Sequence, residues 1–292
     1  MVGMPRWPAL FEILREHDID VSPQHMPRPV GGGDINAAWE VRTDAAPVFL
    51  KTGPPSAYEV FLAEAEGLRA LADAAAIRVP RVLGCICSGA EAMLALEWLN
   101  FEPAGRDADA ALGSGLARLH RNVAKRFGWH RDNTIGATPQ HNDWSSDWIE
   151  FLAERRIGFQ LGLAARNGFG GELQNKGERL LDDLGRFFDG YWPEPSLLHG
   201  DLWGGNWAVA DGEPVIFDPA VYYGDRESDL AMTRLFGGFG PGFYAAYGEA
   251  WPLAPGHDAR SLVYQLYHVL NHLNLFGSSY LGRALSLMRQ LC

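Results

Sequence analysis

The chain has 292 residues, 47% of them hydrophobic and 12% aromatic, which is too apolar for a disordered polymer and long enough for one bilobal unit or two small domains. Its 25 Lys and Arg against 36 Asp and Glu give a formal charge of −11, and no basic run of five occurs, so nucleic acid is not expected as a partner. Three cysteines, Cys85, Cys87 and Cys292, form no even disulfide framework, and C-x-C without a second pair is no zinc signature. The start MVGMPRWPALFEILREHDI lacks a charged segment followed by an apolar run, and no stretch approaches eighteen apolar residues, so no membrane span and a cytoplasmic protein with reduced thiols are expected.

In chain order, Trp7, Leu10, Phe11 and Leu14 recur at helical spacing and predict a short helix over 7–18. PVGGGDINAAWEVRTDAAPVFLK follows: Gly31, Gly32 and Gly33, a polar turn, alternation through Trp39 and Val41, a second turn, and an apolar strand ending on Lys51. Glycines let backbone amides approach phosphate oxygens closely. Alone the triplet reads as a hairpin loop; one strand ahead of a strand-end lysine, it reads as a phosphate cover. The segment AYEVFLAEAEGLRALADAAAI is helical, with Phe61, Ala65 and Leu68 on one face. Glu64 and Glu66 both lie within reach of Lys51 and fall on different sides of that helix.

Residues 78–83 and 92–98 predict two further strands around a turn at Ser88 and Gly89, with Cys85 and Cys87 on one strand face. They complete a five-stranded antiparallel sheet, and the boundary to a second lobe falls near Asn100. Leu112, Leu116, Leu119 and Val123 then form a helical stripe with His120 beside it, read as a packed core histidine. Trp144 and Trp148, four apart, are expected to share a helix face, as core or as a platform beside a substrate. His130, Asp132 and His141 fit no standard metal spacing. A further amphipathic helix covers 172–190.

Leu197 to Pro219 reads LLHGDLWGGNWAVADGEPVIFDP. HGD or GGN alone is compatible with an ordinary turn. Here, however, Asn206 follows Asp201 by five residues, and Asp218 ends a strand a dozen residues further on. Phosphoryl transfer needs an acceptor hydroxyl held in line with a terminal phosphate, and cations that neutralise its oxygens. Asp201 can take the hydroxyl proton, Asn206 and Asp218 are hard oxygen ligands suited to Mg²⁺, and Lys51 can contact the phosphates. The order is that of the protein-kinase catalytic loop and its metal-binding aspartate, with Pro219 and Ala220 in place of the usual Phe and Gly. The acidic net charge does not oppose ATP, because a bound cation and a few local ones override the global field. Beyond it, Asp225 and Glu227 line the cleft or cap a helix opening near Glu227. Two helices, GPGFYAAYGEAW and SLVYQLYHVLNHLNLFGSSYLGRALSLMRQ, close the chain.

HGDLWGGN, IFDPAVYYGDRESDLAM and YQLYHVLNHLNLFG resemble the fructosamine-3-kinase, or ketosamine kinase, family, a branch of the protein-kinase-like superfamily beside the aminoglycoside phosphotransferases and choline kinases. The likeness runs from about Pro29 to the C-terminus, and Trp203 is its most discriminating residue. It implies an α+β, bilobal protein-kinase-like fold: a nucleotide-binding lobe over 1–99 and a mainly helical catalytic and substrate lobe over 100–292. It also implies ATP and Mg²⁺ as cofactors, and as substrate a free or protein-bound ketosamine phosphorylated at its third carbon. By the same resemblance Glu64, in FLAE, braces Lys51 and leaves Glu66 a solvated charge. Backbone groups of Glu97, Trp98 and Leu99 meet adenine. Asp229 hydrogen-bonds the catalytic-loop backbone, with His199 supporting it. Trp203, Asn271 and His272 are candidates for the acceptor side, where a protonated secondary amine would favour acidic or aromatic surroundings. The alternatives are an aminoglycoside or other small-alcohol kinase, opposed by Trp203 and the DPA sequence, and a nucleotide-binding module without catalysis.

Overall fold

The alternation in VFLKTG is what sorts the first lobe. In a computed structural model that describes residues 7–16, 26–31, 37–43, 46–87, 91–105 and 107–291, this segment is strand β3 (Val48–Gly53), buried at every second residue. It lies at the centre of a five-stranded antiparallel sheet ordered β1-β2-β3-β5-β4, with β1 Arg28–Val30, β2 Ala37–Val41, β4 Val82–Cys87 and β5 Ala92–Glu97. Side chains alternate between faces of a strand. Val48 and Leu50 therefore pack with Val41, Met93, Trp7 and Phe11, beneath helix α1 (Trp7–Glu16). Phe49 and Lys51 face helix α2 (Tyr58–Asp73), whose Phe61 and Leu68 pack on Leu94 and Leu96.

Two expectations here fall outside the described residues: the Ser88–Gly89 turn, and the side chains of Leu10 and Leu14. A third is corrected. The strand expected at 78–83 begins only at Val82, because Pro80 has no N–H to give a ladder, and Arg78 instead forms a parallel bridge with Val215 of the other lobe.

The second lobe opens with β6 (Phe101–Glu102) and α3 (Ala108–His120), followed by a hairpin of β7 (Asn133–Ile135) and β8 (Thr138–Gln140). Helix α4 (Trp148–Phe151) runs through a π-helical stretch, Leu152–Gly158, into α5 (Phe159–Arg166), and α6 spans Glu172–Asp182. Strand β9 (Ser196–Leu198) pairs with β12 (Tyr222–Gly224), while β10 (Trp207–Ala210) sits between β11 (Glu213–Ile216) and β6. Helices α7 (Glu227–Thr233), α8 (Pro241–Ala250), α9 (His257–Phe276) and α10 (Leu281–Leu291) complete it. The core is continuous across the lobes, since Phe61 and Leu68 share a cluster with Leu116, Leu197, Ile216 and Val221.

Trp144 and Trp148 do not share a helix. The Asp147 carboxylate accepts from the amides of Ile149 and Glu150 and starts α4 there, which leaves Trp144 in the preceding loop. The last predicted helix is two helices. Gly277, at φ +86, sends its N–H back to Leu273 and ends α9. Among the described residues no helix is long and apolar enough to cross a membrane.

Candidate active site

The β10–β11 hairpin brings together side chains twelve residues apart. Trp207 pairs with Ile216 at its open end, and the Phe217 amide donates to the Asn206 carbonyl at 3.1 Å, so Asn206 and Asp218 emerge side by side. Asn206 then turns back: its Nδ2 donates to the Asp201 carbonyl at 2.9 Å and approaches the Asp201 carboxylate and the Asp218 carbonyl, each at 3.4 Å. Asp218 has φ +55, a left-handed conformation that Asp tolerates better than most residues.

Beneath the loop, Asp229 accepts from the amides of His199 and Gly200, both at 2.8 Å, and from His120 Nε2 at 3.1 Å. Gly200 is at φ +83, and a Cβ there would lie 2.0 Å from the Ala220 carbonyl oxygen, so only glycine lets the loop lie against the segment after Asp218. His199 donates from Nε2 to the Phe217 carbonyl at 3.0 Å and accepts at Nδ1 from the Asp201 amide at 3.3 Å. Burial lowers the affinity of His199 and His120 for a second proton. Burial would raise Asp229, but the His120 hydrogen bond and the amides outweigh it and hold its carboxyl below the usual range. Asp201 has the opposite balance: burial, then the charges of Asp218 and Asp229, push it up to about 7. A carboxylate with raised proton affinity is what a general base requires near neutral pH.

Across the cleft, Lys51 Nζ contacts Glu64 Oε1 at 2.8 Å and Asp218 Oδ1 at 2.6 Å. Burial would lower the Lys51 ammonium, yet the two carboxylates raise it above its ordinary value. Glu64 is raised by burial, opposed by Lys51. These residues line one cavity of about 720 Å³, which also exposes Gly31, Leu99 and Trp203. Gly32 and Gly33 lie outside the described residues. Glu97, Trp98 and Leu99 line the cavity together; the Glu97 amide donates to the Arg81 carbonyl at 2.8 Å and its carboxylate holds Arg78 at 3.1 Å.

Several sequence readings change. Asn271 is 2% exposed and bonds Gln160 and the Ile135 carbonyl, inside the core. His272 donates from Nδ1 to the His268 carbonyl and packs its ring, tilted, against Phe236 at 4.4 Å between centroids. Phe236 in turn meets Trp203 edge-on at 6.5 Å, so His272 stands behind the cavity rim. Asp225 and Glu227 do not line the cleft: Tyr191 and Tyr264 donate to Asp225, and Glu227 pairs with buried Arg260. His130 binds Glu66 while His141 binds Asp132, and Glu66 also pairs with Arg131 in place of standing free in solvent. Asn133, Thr134 and Gly136, from the β7–β8 hairpin, also line the cavity, and no local motif in the sequence marks them.

The sequence model of the fructosamine kinase family matches residues 6–292. A "probable ketoamine kinase" of Synechocystis sp. is 44% identical over 90% of this chain and 89% of its own. The chloroplastic protein-ribulosamine 3-kinase of Oryza sativa subsp. indica is 43% identical over 89% and 76%. Among crystal structures, a candidate fructosamine-3-kinase of Haemophilus somnus superposes with a TM-score of 0.89 at 31% identity, covering 98% of this chain and 97% of the other. An aminoglycoside phosphotransferase, at 15% identity and TM-score 0.65 over 98% of both chains, shares the fold alone. With the catalytic-loop order, the bilobal architecture and these similarities in agreement, the chain belongs to the fructosamine kinase family.

Proposed function

We infer that this protein is an ATP-dependent kinase that phosphorylates a sugar hydroxyl of a ketosamine, the rearranged adduct of a sugar with an amine, at the third carbon. The observation that carries the reading is the convergence of Lys51, Asp201, Asn206 and Asp218 on one cavity. Residues 1–99 form the nucleotide lobe in this reading and 100–292 the catalytic and substrate lobe, with adenine against the backbone at residues 97–99.

Asp201 accepts the hydroxyl proton as the sugar oxygen forms its bond to the γ-phosphorus and the bond to the departing ADP oxygen breaks. Lys51, braced by Glu64, neutralises the phosphates, and Gly31 lies at the same cavity. The donor set fits Mg²⁺: Asn206 uses its Nδ2 towards Asp201, which leaves its amide oxygen for a ligand, and Asp218 has a second carboxylate oxygen beyond the one facing Lys51. Oxygen donors of this kind suit a small hard cation. Bound there, the ion would supply charge neutralisation on the transferring phosphate.

A coupled ADP-release assay tests the reading. Fructose-lysine, ribulose-lysine and erythrulose-lysine are offered beside kanamycin, with carbon NMR of any product. Turnover of a ketosamine with phosphate on carbon 3 is expected. Turnover of kanamycin alone, or ADP release with none of them, overturns it.

A further inference from the structure

Helix α2 carries Glu64, and the side of the helix that bears Phe61 and Leu68 packs on apolar residues of the second lobe. Two carboxylates on another face add a polar tie to that lobe. Glu59 and Glu66 are seven residues apart, so about 20° apart around the helix, whereas Glu64 points about 140° from the first and about 160° from the second. From the loop before β7, Arg131 forks between them: Nη2 donates to Glu59 Oε2 at 2.5 Å and Nη1 to Glu66 Oε1 at 3.0 Å. His130 Nε2 lies 3.0 Å from the second oxygen of Glu66. A guanidinium can span two carboxylates in this way because its donors diverge in a fixed plane; a lysine reaches one.

The fork is mounted on the core. Asn142 Nδ2 donates to the Arg131 carbonyl at 3.2 Å, and the Asn142 side-chain oxygen accepts from Arg156 Nη2 at 2.7 Å. Arg156 is fully buried, its guanidinium 4.1 Å from the Tyr222 ring and 4.6 Å from that of Phe151. An independent observation places α2 on the metal-ligand side of the cleft. At Gly67 a Cβ would come within 2.9 Å of Val221 Cγ2 and 3.5 Å of Pro219 Cγ, so the helix backbone rests on the residues that follow Asp218. That segment is itself tied down, Ala220 and Val221 giving their carbonyls to Gln140 and Asn133.

We propose that Arg131 is a positioning residue: by clasping Glu59 and Glu66 it fixes the rotation of α2, and so holds Glu64 on Lys51 and Lys51 beside Asp218 before the nucleotide arrives. The proposal rests on the reading that Lys51 and Glu64 serve the ATP phosphates. An ion pair exposed on one side is worth little as stability; its worth here is angular, since a helix rotated by a fraction of a turn withdraws Glu64 from a lysine only 2.8 Å away.

A double-mutant cycle tests it. Arg131→Ala should lower kcat/KM for ATP about tenfold, mostly through KM for ATP, with KM for the ketosamine within twofold of wild type. In a Glu64→Gln background the same substitution should change kcat/KM less than twofold, because the group it positions is already gone. Arg131→Lys, which keeps the charge and one contact, should recover part of the loss. Undiminished effects that multiply in the double variant overturn the clasp, since a residue of general structural importance would act equally in both backgrounds. Should Glu64→Gln alone leave ATP kinetics unchanged, it is the reading of Lys51 and Glu64 that fails. If Arg131→Ala does not fold, judged by circular dichroism, Glu59→Gln removes half the fork, and the same cycle decides with a smaller expected loss of about threefold.

Discussion

The two sides of the catalytic cleft are held by different physics. On the nucleotide side Lys51, Glu64 and Asp218 bind one another, at 2.8 and 2.6 Å, so their charges are in place and aligned. On the side proposed for the acceptor, Trp203 is 38% exposed and meets Phe236, which packs on His272, which in turn packs on Tyr280. Phe236 holds φ +52, a strained conformation for a bulky residue that persists only where packing over-determines it. In the proposed reading the charged wall would fix a phosphate chain that is the same in every reaction, and the aromatic wall would take an organic cation by ring faces.

Because Asp201 stands between the walls, its loss should be the largest. General-base assistance contributes on the order of 10² to 10⁴-fold. Asp201→Asn is expected to lower kcat by that much while ATP affinity, set by the other wall, stays within a few-fold. Wild-type kcat in the variant would remove Asp201 from the mechanism.

Next come substitutions that separate the walls. Lys51→Met removes a charge aimed at the phosphates, where one preorganised donor is worth on the order of 10²-fold. It should depress kcat/KM for ATP by about that factor and leave KM for the ketosamine nearly unchanged. Trp203→Ala should do the reverse more weakly, raising KM for the ketosamine about tenfold, the scale of one cation–π contact of ~1–2 kcal/mol, with ATP kinetics unaltered. Initial rates with each substrate varied in turn decide both. If Trp203→Ala raises KM for ATP instead, the aromatic wall belongs to the nucleotide.

The charged wall was legible in the sequence and the aromatic one largely was not. Asp201, Asn206 and Asp218 lie on one loop and one tight hairpin, so their linear spacing is their spatial arrangement. Lys51 and Glu64 are joined by strand alternation and one helix. Phe236 has no such marker: it lies in the turn three residues past the end of α7 and reaches Trp203 only through tertiary packing. Asn271, expected on the acceptor side, shares the inward face of α9 with buried Tyr267 four residues before it. Glu66 looked solvated because Arg131 is 65 residues away, and no local pattern announces such a partner. Trp144 and Trp148 part for a local reason: the Asp147 cap lies between them and sets the helix start.

The smallest effect on catalysis is expected from a carboxylate outside both walls, and it sharpens the contrast by affecting stability alone. Burial and then the charge of Glu227 push Asp225 up to about 6, against the hydrogen bonds from Tyr264 and Tyr191. A carboxyl whose folded value exceeds its unfolded one near 3.9 binds its proton more tightly in the native state. Its contribution is complete at low pH and declines as pH rises from about 4 to 6, by at most ~3 kcal/mol at 1.36 kcal/mol per unit. Asp229, whose value is lowered, has the opposite sign and loses its contribution as pH falls. Asp225→Asn keeps an oxygen for the tyrosines but cannot titrate. Relative to wild type it should therefore gain stability steadily between pH 4 and 6 and hold a constant difference above, measured by urea midpoints at half-unit intervals. Parallel curves across that window would mean that Asp225 is already ionised in the folded protein at pH 4, with Tyr191 and Tyr264 compensating for its burial.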